Sequence, residues 1–153
     1  MRMVVVGGVA TGMSAAARAR RLDEDAEIIV FEKGPHVSCA DCGLPYYVGG
    51  EIEDRGALTV QTPRSLKAAL NLDVRVNHEV VDVDPEARTV TVKSRAGETV
   101  EPYDALVLAP GADAAKPPIP GIDSARVQNL KDVGDAIRMR ELVEEGAEDA
   151  VVI

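Results

Sequence analysis

The sequence predicts an α/β fold in which helices cover a parallel sheet. Residues 2–6, RMVVV, are an apolar and β-branched run that is typical of a buried strand, and the run stops at two glycines. Residues 13–22 are rich in Ala and Arg, which favour a helix, and residues 27–31 form a second apolar run. A strand, a glycine turn, a helix and a strand within about thirty residues make a βαβ unit, and such units build parallel sheets.

The middle of the chain changes pattern. Residues 63–70 predict a short helix with Thr62 as its N-cap. From residue 74 to residue 100 apolar and polar residues alternate between turn signals, which predicts a β-meander inserted into the α/β unit. Residues 105–109, ALVLA, predict another buried strand, and the proline-rich residues 109–121 predict a crossing loop.

The C-terminal segment predicts a linker helix and the start of one more strand. Apolar side chains in residues 133–143 recur at helical spacing, and Gly146 stands where that helix should be capped. Residues 150–153 are typical of the opening of a buried strand, so we expect this chain to be a fragment of a longer protein.

Composition excludes several classes of function. With 153 residues, of which 46% are hydrophobic, the chain can bury one sizeable core. A formal net charge of −9 argues against a nucleic-acid partner, and one Phe, three Tyr and no Trp leave few rings on which bases could stack. No apolar run is long enough to span a membrane and the N-terminus lacks the pattern of a signal peptide, so we expect a cytoplasmic protein without a membrane partner.

A glycine-rich loop after the first strand is the first candidate site. Gly7, Gly8 and Gly12 lie between a strand and a helix, where glycine allows close approach of a pyrophosphate and the helix start offers N–H donors. Val9 breaks the usual G-x-G-x-x-G spacing, but Glu32 follows Gly12 by twenty residues, where an acid can accept the ribose hydroxyls. Dinucleotide binding is therefore favoured over the alternative, a glycine turn that serves only strand-to-helix packing.

Two cysteines form the second candidate site. In the segment HVSCADCGLPYYVGG, Ser38 or Asp41 could cap a helix whose first turn holds Cys42, and a helix start favours the reactive thiolate. The carboxylate of Asp41 would oppose this effect unless it points away or is paired. Cys39 and Cys42 could also form an internal dithiol or half of a zinc site, but no second Cys or His pair lies at metal-ligand spacing, so we predict no metal. Two small buried hydrophobic residues are the remaining alternative.

Several ordered motifs resemble those of one enzyme family. The segments VVVGGVATGMSAAARARRLD, IIVFEKG, SCADCGLPYYVGG, NHEVVDVD, YDALVLAPGA and KPPIPGI are similar to motifs of the single-cysteine pyridine nucleotide-disulfide oxidoreductases. That branch includes coenzyme A-disulfide reductases, NADH oxidases and NADH peroxidases. The resemblance covers nearly the whole chain and implies an FAD/NAD(P)-binding Rossmann-like fold. It places residues 1–122 in the FAD-binding domain and residues 123–153 in the linker helix and first strand of an incomplete NAD(P)-binding domain.

The resemblance also implies which residues bind each ligand. FAD would lie along the glycine loop, with Glu32 on its ribose and Val80 near its adenine. The implied FAD-binding residues are Gly7, Gly8, Val9, Ala10, Gly12, Glu32, Lys33, Val80, Ala109, Pro110 and Gly111. The implied substrate-binding residues are Ser14, Arg18, Arg21, Ser38 and Asp41, and the implied redox nucleophile is Cys42.

The implied activity is FAD-dependent oxidation of NAD(P)H with reduction of coenzyme A disulfide, or of a related disulfide or persulfide, through Cys42. Two alternatives stay open: an NADH oxidase or peroxidase that uses a Cys42 sulfenic acid, and, for this fragment alone, a non-catalytic nucleotide-binding module. The NAD(P)H site would lie outside the fragment, and the parent enzyme would be a homodimer. The sequence departs from the family at Cys39, where an aromatic residue is usual, at Asp41, where Asn is common, and at Leu70, near which some members carry Lys.

Overall fold

The computed structural model describes residues 1–152, which form seven strands and four α-helices. The strands are β1 Arg2–Val6, β2 Glu27–Glu32, β3 Asp73–Val76, β4 Glu79–Asp84, β5 Thr89–Ser94, β6 Gly97–Pro102 and β7 Ala105–Leu108. The helices are α1 Ala10–Leu22, α2 Leu44–Gly49, α3 Pro63–Leu70 and α4 Val133–Glu144. These elements belong to two compact units: the first contains Met1–Cys39 and Val60–Gly111, and the second contains Ala40–Thr59 and the chain from Ala112 on.

A four-stranded parallel sheet in the order β3-β2-β1-β7 forms the centre of the first unit. Val4 of β1 lies opposite Ile29 of β2 on one side and opposite Leu106 of β7 on the other. The central strands β1 and β2 are apolar along most of their length because both of their faces are covered. The sheet confirms the predicted α/β class.

Because successive side chains of a strand point to opposite faces, each strand has apolar residues on both faces of the sheet. One face packs against α1 and α3 through a cluster that includes Val5, Met13, Ala16, Ile28, Val30 and Leu66. The opposite face packs against the meander through Val4, Ile29, Phe31, Val90 and Val92. The carboxyl ends of β1, β2 and β7 therefore lie between a helical layer and a β-layer.

The inserted meander is confirmed, but it begins later than predicted. It contains β4, β5 and β6 in antiparallel order, whereas β3 pairs in parallel with β2, with Asp73 opposite Ile29. The predicted alternation is interrupted at one point, because the register shifts between Val80 and Asp82. A bulge at this point turns Val80 and Val83 toward the core and leaves Val81 49% exposed.

Three other predicted elements agree with the structure, with small changes of boundary. Helix α1 begins at Ala10, three residues before the predicted start. Helix α3 has the predicted bounds, and Thr62 caps it in a capping box with Ser65. Residues 109–121 contain neither helix nor strand, as the prolines predicted.

In the second unit, α4 packs against α2 and buries Val133 and Ala136. The helix ends as predicted, because Gly146 follows it in a left-handed conformation and donates its N–H to the Val143 carbonyl.

The predicted strand at residues 150–153 differs from the structure: residues 150–152 have no regular secondary structure, since no described strand lies beside them to pair with. Ile153 lies outside the described residues. Within residues 1–152, none of the helices is both long and apolar enough to cross a bilayer.

A network of ion pairs joins the meander to the parallel sheet. Glu101 of β6 accepts hydrogen bonds from Arg2 of β1 and, at 3.0 Å, from Arg75 of β3. Arg75 also contacts Asp73 at 2.8 Å. The hydrogen bond to Asp73 is the main cause that raises the pKa of Arg75, and Glu101 acts in the same direction. Glu101 therefore lies between two cations that belong to two different strands of the sheet.

We expect Glu101→Ala to lower the free energy of unfolding by about 1–3 kcal/mol, because it leaves two arginines facing each other without their shared acceptor. Glu98→Ala is the matched control, since Glu98 is exposed on the same strand and forms none of these ion pairs. Chemical denaturation measures both variants. Equal effects of the two substitutions would contradict a role of the network in holding the meander.

Candidate functional site

The glycine loop lies at the carboxyl ends of β1, β2 and β7. The N–H of Gly7 donates to the Phe31 carbonyl at 2.8 Å, and the N–H of Ala109 donates to the Val6 carbonyl at 2.8 Å. Gly7 has a φ of +100°, and a Cβ at this position would lie 2.0 Å from the Ala109 carbonyl oxygen. Only glycine fits there, because the end of β7 occupies the space that a side chain would need.

The start of α1 offers main-chain donors to an anion. Gly12 lies so close to the loop that a Cβ would be 1.9 Å from the Gly7 carbonyl oxygen. Val9 is the N-cap residue; no side chain caps the helix, and its first turn contains no acidic residue. The first N–H groups of a helix have no intrahelical acceptor and carry partial positive charge. This chemistry suits a pyrophosphate, so the residues present fit the predicted dinucleotide.

Glu32 is held beside the loop by main-chain hydrogen bonds. Its carboxylate accepts the N–H of Gly8 and the N–H of Gly34, each at 2.7 Å, and the residue is only 9% exposed. The N–H of His78 donates to the Glu32 carbonyl at 2.9 Å, which brings the start of β4, and with it Val80, toward the end of β2. Each carboxylate oxygen has a second lone pair that can accept a hydrogen bond from a ribose hydroxyl.

The structure brings most of the predicted FAD-binding residues to one edge of the sheet. Lys33 follows Glu32 and is exposed, and Pro110 and Gly111 are exposed directly after Ala109. Gly7, Gly8, Gly12 and Glu32 are connected by the contacts described above. The chain segments predicted from separate motifs therefore converge within the first unit.

A groove between α1 and α3 opens beside the glycine loop in the first unit. Its volume is about 550 Å³, within the range of small-molecule sites. Five residues predicted to bind cofactor or substrate line it: Val9, Ala10, Ser14, Arg21 and Ser38. Arg18 lies on the same helix and is exposed, but it does not line the groove. The remaining lining residues are Met13, Ala17, Cys39, Val60, Gln61, Leu66, Ala69 and Leu70.

The wall that α3 contributes to this groove was not predicted from the sequence. Leu66 and Leu70 are apolar residues at helical spacing, which indicates a buried face but not which helix lies opposite. Ser38 connects the groove to the glycine loop, since its N–H donates to the Gly8 carbonyl at 2.8 Å. Its φ of 55° is in the left-handed region, so the chain turns sharply just before Cys39.

Cys42 belongs to the second unit, and its local structure differs from the prediction. It lies in a 3-10 turn, Asp41–Gly43, that precedes α2, and the N-cap of α2 is Gly43 rather than Ser38 or Asp41. Pro45 lies in the first turn of α2, so the helix starts after the cysteine and not before it. Both Asp41 and Cys42 are exposed, and Cys42 is a free cysteine. Within residues 1–152, no group of three or more His, Cys, Asp or Glu residues is placed to hold a metal ion.

The whole chain matches a family of known proteins. Residues 1–153 match the family model described as pyridine nucleotide-disulphide oxidoreductase. The chain belongs to this family. The predicted family is thus confirmed.

Three known proteins are similar to most of this chain. The coenzyme A disulfide reductase of Staphylococcus epidermidis is 41% identical over 133 residues, which are 86% of this chain and 30% of that protein. The structure of an NAD-dependent persulfide reductase from A. fulgidus superposes with a TM-score of 0.92 at 42% identity, over 97% of this chain and 28% of that one. The structure of a water-forming NADH oxidase from Lactobacillus brevis, bound to NADH, superposes with a TM-score of 0.84 at 35% identity, over 95% of this chain and 32% of that one. The chain spans about a third of the length of these relatives.

We expect Gly12→Ala to lower the free energy of unfolding by about 3 kcal/mol or more, because its Cβ would overlap a carbonyl oxygen that cannot move without shifting the loop. Gly49→Ala is the matched control: Gly49 is also helical, and a Cβ there has no neighbour within 4 Å. The control should be neutral or stabilising by up to about 1 kcal/mol. Thermal and chemical denaturation test the pair, and a well-tolerated Gly12→Ala would refute the close approach.

Glu32→Gln should lower the free energy of unfolding by about 1–3 kcal/mol, because an amide can accept one of the two N–H groups but must oppose the other with its NH₂. Glu27→Gln on the same strand is the control, since Glu27 is exposed and pairs with Arg2 at the surface. Urea denaturation compares the two. If the two substitutions lower the free energy of unfolding by the same amount, the carboxylate of Glu32 does not stabilise the loop.

Proposed function

We propose that this chain is the FAD-binding, N-terminal portion of an enzyme that uses NAD(P)H to reduce coenzyme A disulfide or a related disulfide or persulfide. The groove between α1 and α3 is the observation that carries the proposal. It begins at Val9 and Ala10 of the nucleotide loop and reaches Arg21, so a second ligand can bind next to a dinucleotide. Relatives named coenzyme A disulfide reductase and persulfide reductase share this portion of the chain.

The lining of the groove suits a thiol that carries both an aliphatic arm and a phosphate. Met13, Leu66 and Leu70 offer an apolar surface on which an aliphatic arm can pack. Arg21 offers a planar fork of donors that can bind phosphate in a bidentate way, and the exposed Arg18 adds charge one turn away. The proposed substrate-binding residues remain Ser14, Arg18, Arg21, Ser38 and Asp41.

The proposed FAD site is the edge of the sheet where the glycine loop lies. The start of α1 would bind the pyrophosphate, and Glu32 would accept the ribose hydroxyls. When bound, FAD supplies the two-electron chemistry that connects NAD(P)H with a disulfide. The residues assigned to it are Gly7, Gly8, Val9, Ala10, Gly12, Glu32, Lys33, Val80, Ala109, Pro110 and Gly111.

Cys42 is the proposed redox nucleophile. Its exposed thiol, as the thiolate, attacks one sulfur of the disulfide; a new S–S bond forms and the other half leaves as a thiolate. The product is a mixed disulfide between Cys42 and the substrate thiol. Two further electrons, which NAD(P)H supplies, break the S–S bond of the mixed disulfide, so the substrate leaves as a thiolate and the Cys42 thiolate is restored.

The remaining proposals concern the whole protein. Residues 1–122 belong to the FAD-binding domain and residues 123–153 to the beginning of an NAD(P)-binding domain, so the NAD(P)H site lies outside this chain. The parent enzyme is a cytoplasmic homodimer without nucleic-acid or membrane partners.

The similarity to a water-forming NADH oxidase supports a second candidate function. In that case Cys42 passes through a sulfenic acid while oxygen or peroxide is reduced. NADH consumption that depends on oxygen or peroxide and not on coenzyme A disulfide would favour this candidate. The third candidate concerns this fragment alone: a nucleotide-binding module without catalysis.

In the full-length enzyme, Cys42→Ser should reduce disulfide-dependent NAD(P)H oxidation by about a thousandfold or more, because a hydroxyl cannot form the mixed disulfide. Mass spectrometry of the enzyme after exposure to coenzyme A disulfide should detect a coenzyme A adduct on Cys42. The same adduct should form on Cys42 in Cys39→Ser, which assigns the adduct to the second cysteine. Disulfide reduction that survives Cys42→Ser would end the proposal.

A further inference from the structure

Arg20 is a charged residue of α1 that is only 8% exposed. A guanidinium has five N–H donors, and all five of them are used. The Nε group donates to the Leu70 carbonyl at 2.9 Å, and the two Nη groups donate to the carbonyls of Asp23, Glu24, Ala26 and Asn71. All five acceptors are main-chain carbonyl oxygens rather than carboxylates.

Three of the five acceptors, the carbonyls of Asp23, Leu70 and Asn71, lie at the C-terminal ends of the two helices that form the walls of the groove. Asp23 is the C-cap residue of α1 and Asn71 is the C-cap residue of α3. The last carbonyls of a helix lack intrahelical donors and carry partial negative charge, which stabilises a cation. One buried guanidinium therefore binds the C-terminal ends of both helices and the loop that connects α1 to β2.

Arg20 is connected to the lining of the groove on both sides, through its neighbour in the chain and through one of its hydrogen bonds. Arg21, the next residue, lines the groove from α1, and Leu70 lines it from α3 while its carbonyl accepts the Nε donor. Arg20 itself does not line the groove. A change in the position of its guanidinium would thus move both walls without removing a ligand contact.

We propose that Arg20 is a positioning residue that sets the separation of α1 and α3 and thereby the affinity of the groove for its ligand. This inference rests on the proposed function, in which the groove binds a coenzyme A-type disulfide. Lysine cannot reproduce these contacts, since its single nitrogen has three donors and Arg20 forms five hydrogen bonds.

The test is Arg20→Lys in the full-length enzyme, with steady-state kinetics for both substrates. We expect the KM for coenzyme A disulfide to rise about tenfold, because the affinity of the groove falls while the chemical step is untouched. The kcat, the KM for NAD(P)H and the FAD content should stay unchanged. Arg64→Lys is the matched control, because Arg64 is an exposed arginine of α3 outside the groove. An unchanged KM for the disulfide, or a parallel change of all parameters, would overturn the inference.

A second variant separates this inference from the proposed function. Ala69→Leu places a larger side chain in the groove and should raise the KM for coenzyme A disulfide whether or not Arg20 positions the walls. If Ala69→Leu has no effect, the groove does not bind the substrate and the proposed function loses its support. If Ala69→Leu raises the KM and Arg20→Lys does not, only the role of Arg20 is wrong.

Should Arg20→Lys fail to fold, Asn71→Gly tests the other end of the same contact. Asn71 has a φ of 48°, so glycine keeps its backbone conformation but loosens the two carbonyls of α3 that Arg20 binds. The KM for the disulfide should rise in the same direction, by about two- to threefold. Lys67→Met is the control, since it removes only the side-chain hydrogen bond between Lys67 and Asn71. No change of KM in Asn71→Gly relative to this control would refute the proposal.

Discussion

The main chain of the glycine loop approaches the end of β7 and the start of α1 so closely that no side chain fits between them. A Cβ at Gly7 or Gly12 would lie within 2.0 Å of a carbonyl oxygen. This approach lets α1 start directly at the edge of the sheet, with its first N–H groups beside the ends of three strands. The nucleotide site and the near end of the groove both depend on that placement, because Val9 and Ala10 belong to each.

Two buried charges of opposite sign form hydrogen bonds with the main chain near the two ends of α1, Glu32 near its start and Arg20 at its end. Glu32 accepts N–H groups at the carboxyl end of β2, and Arg20 donates to carbonyl groups at the ends of α1 and α3. Burial of an ionised group costs several kcal/mol unless its hydrogen bonds are satisfied, and here each charge has its own set of partners. The consequence for function is a loop and a groove whose walls are held by directional bonds as well as by apolar packing.

The prediction from sequence was most accurate where a local pattern is sufficient. Thr62 marked the start of α3 and Gly146 the end of α4, because capping depends on residues within one turn. The prediction was wrong where the pairing strand is distant in sequence. Strand β3 was assigned to the meander, although it forms its hydrogen bonds with β2, more than forty residues earlier. Cys42 was placed in the first turn of a helix capped by Ser38 or Asp41, but α2 begins two residues after Cys42 and its N-cap is Gly43.

The α/β class, the glycine loop with its acidic partner Glu32, and membership of the family could be predicted from the amino-acid sequence, because each depends on short motifs in a recognisable order. The folded chain was needed to show that α3 forms the second wall of a groove, that Leu66, Leu70 and Cys39 line it, and that Arg20 connects its two helices. Periodicity identifies which face of a helix is buried, but the identity of the opposing element depends on contacts between residues about fifty positions apart, such as Arg20 and Leu70.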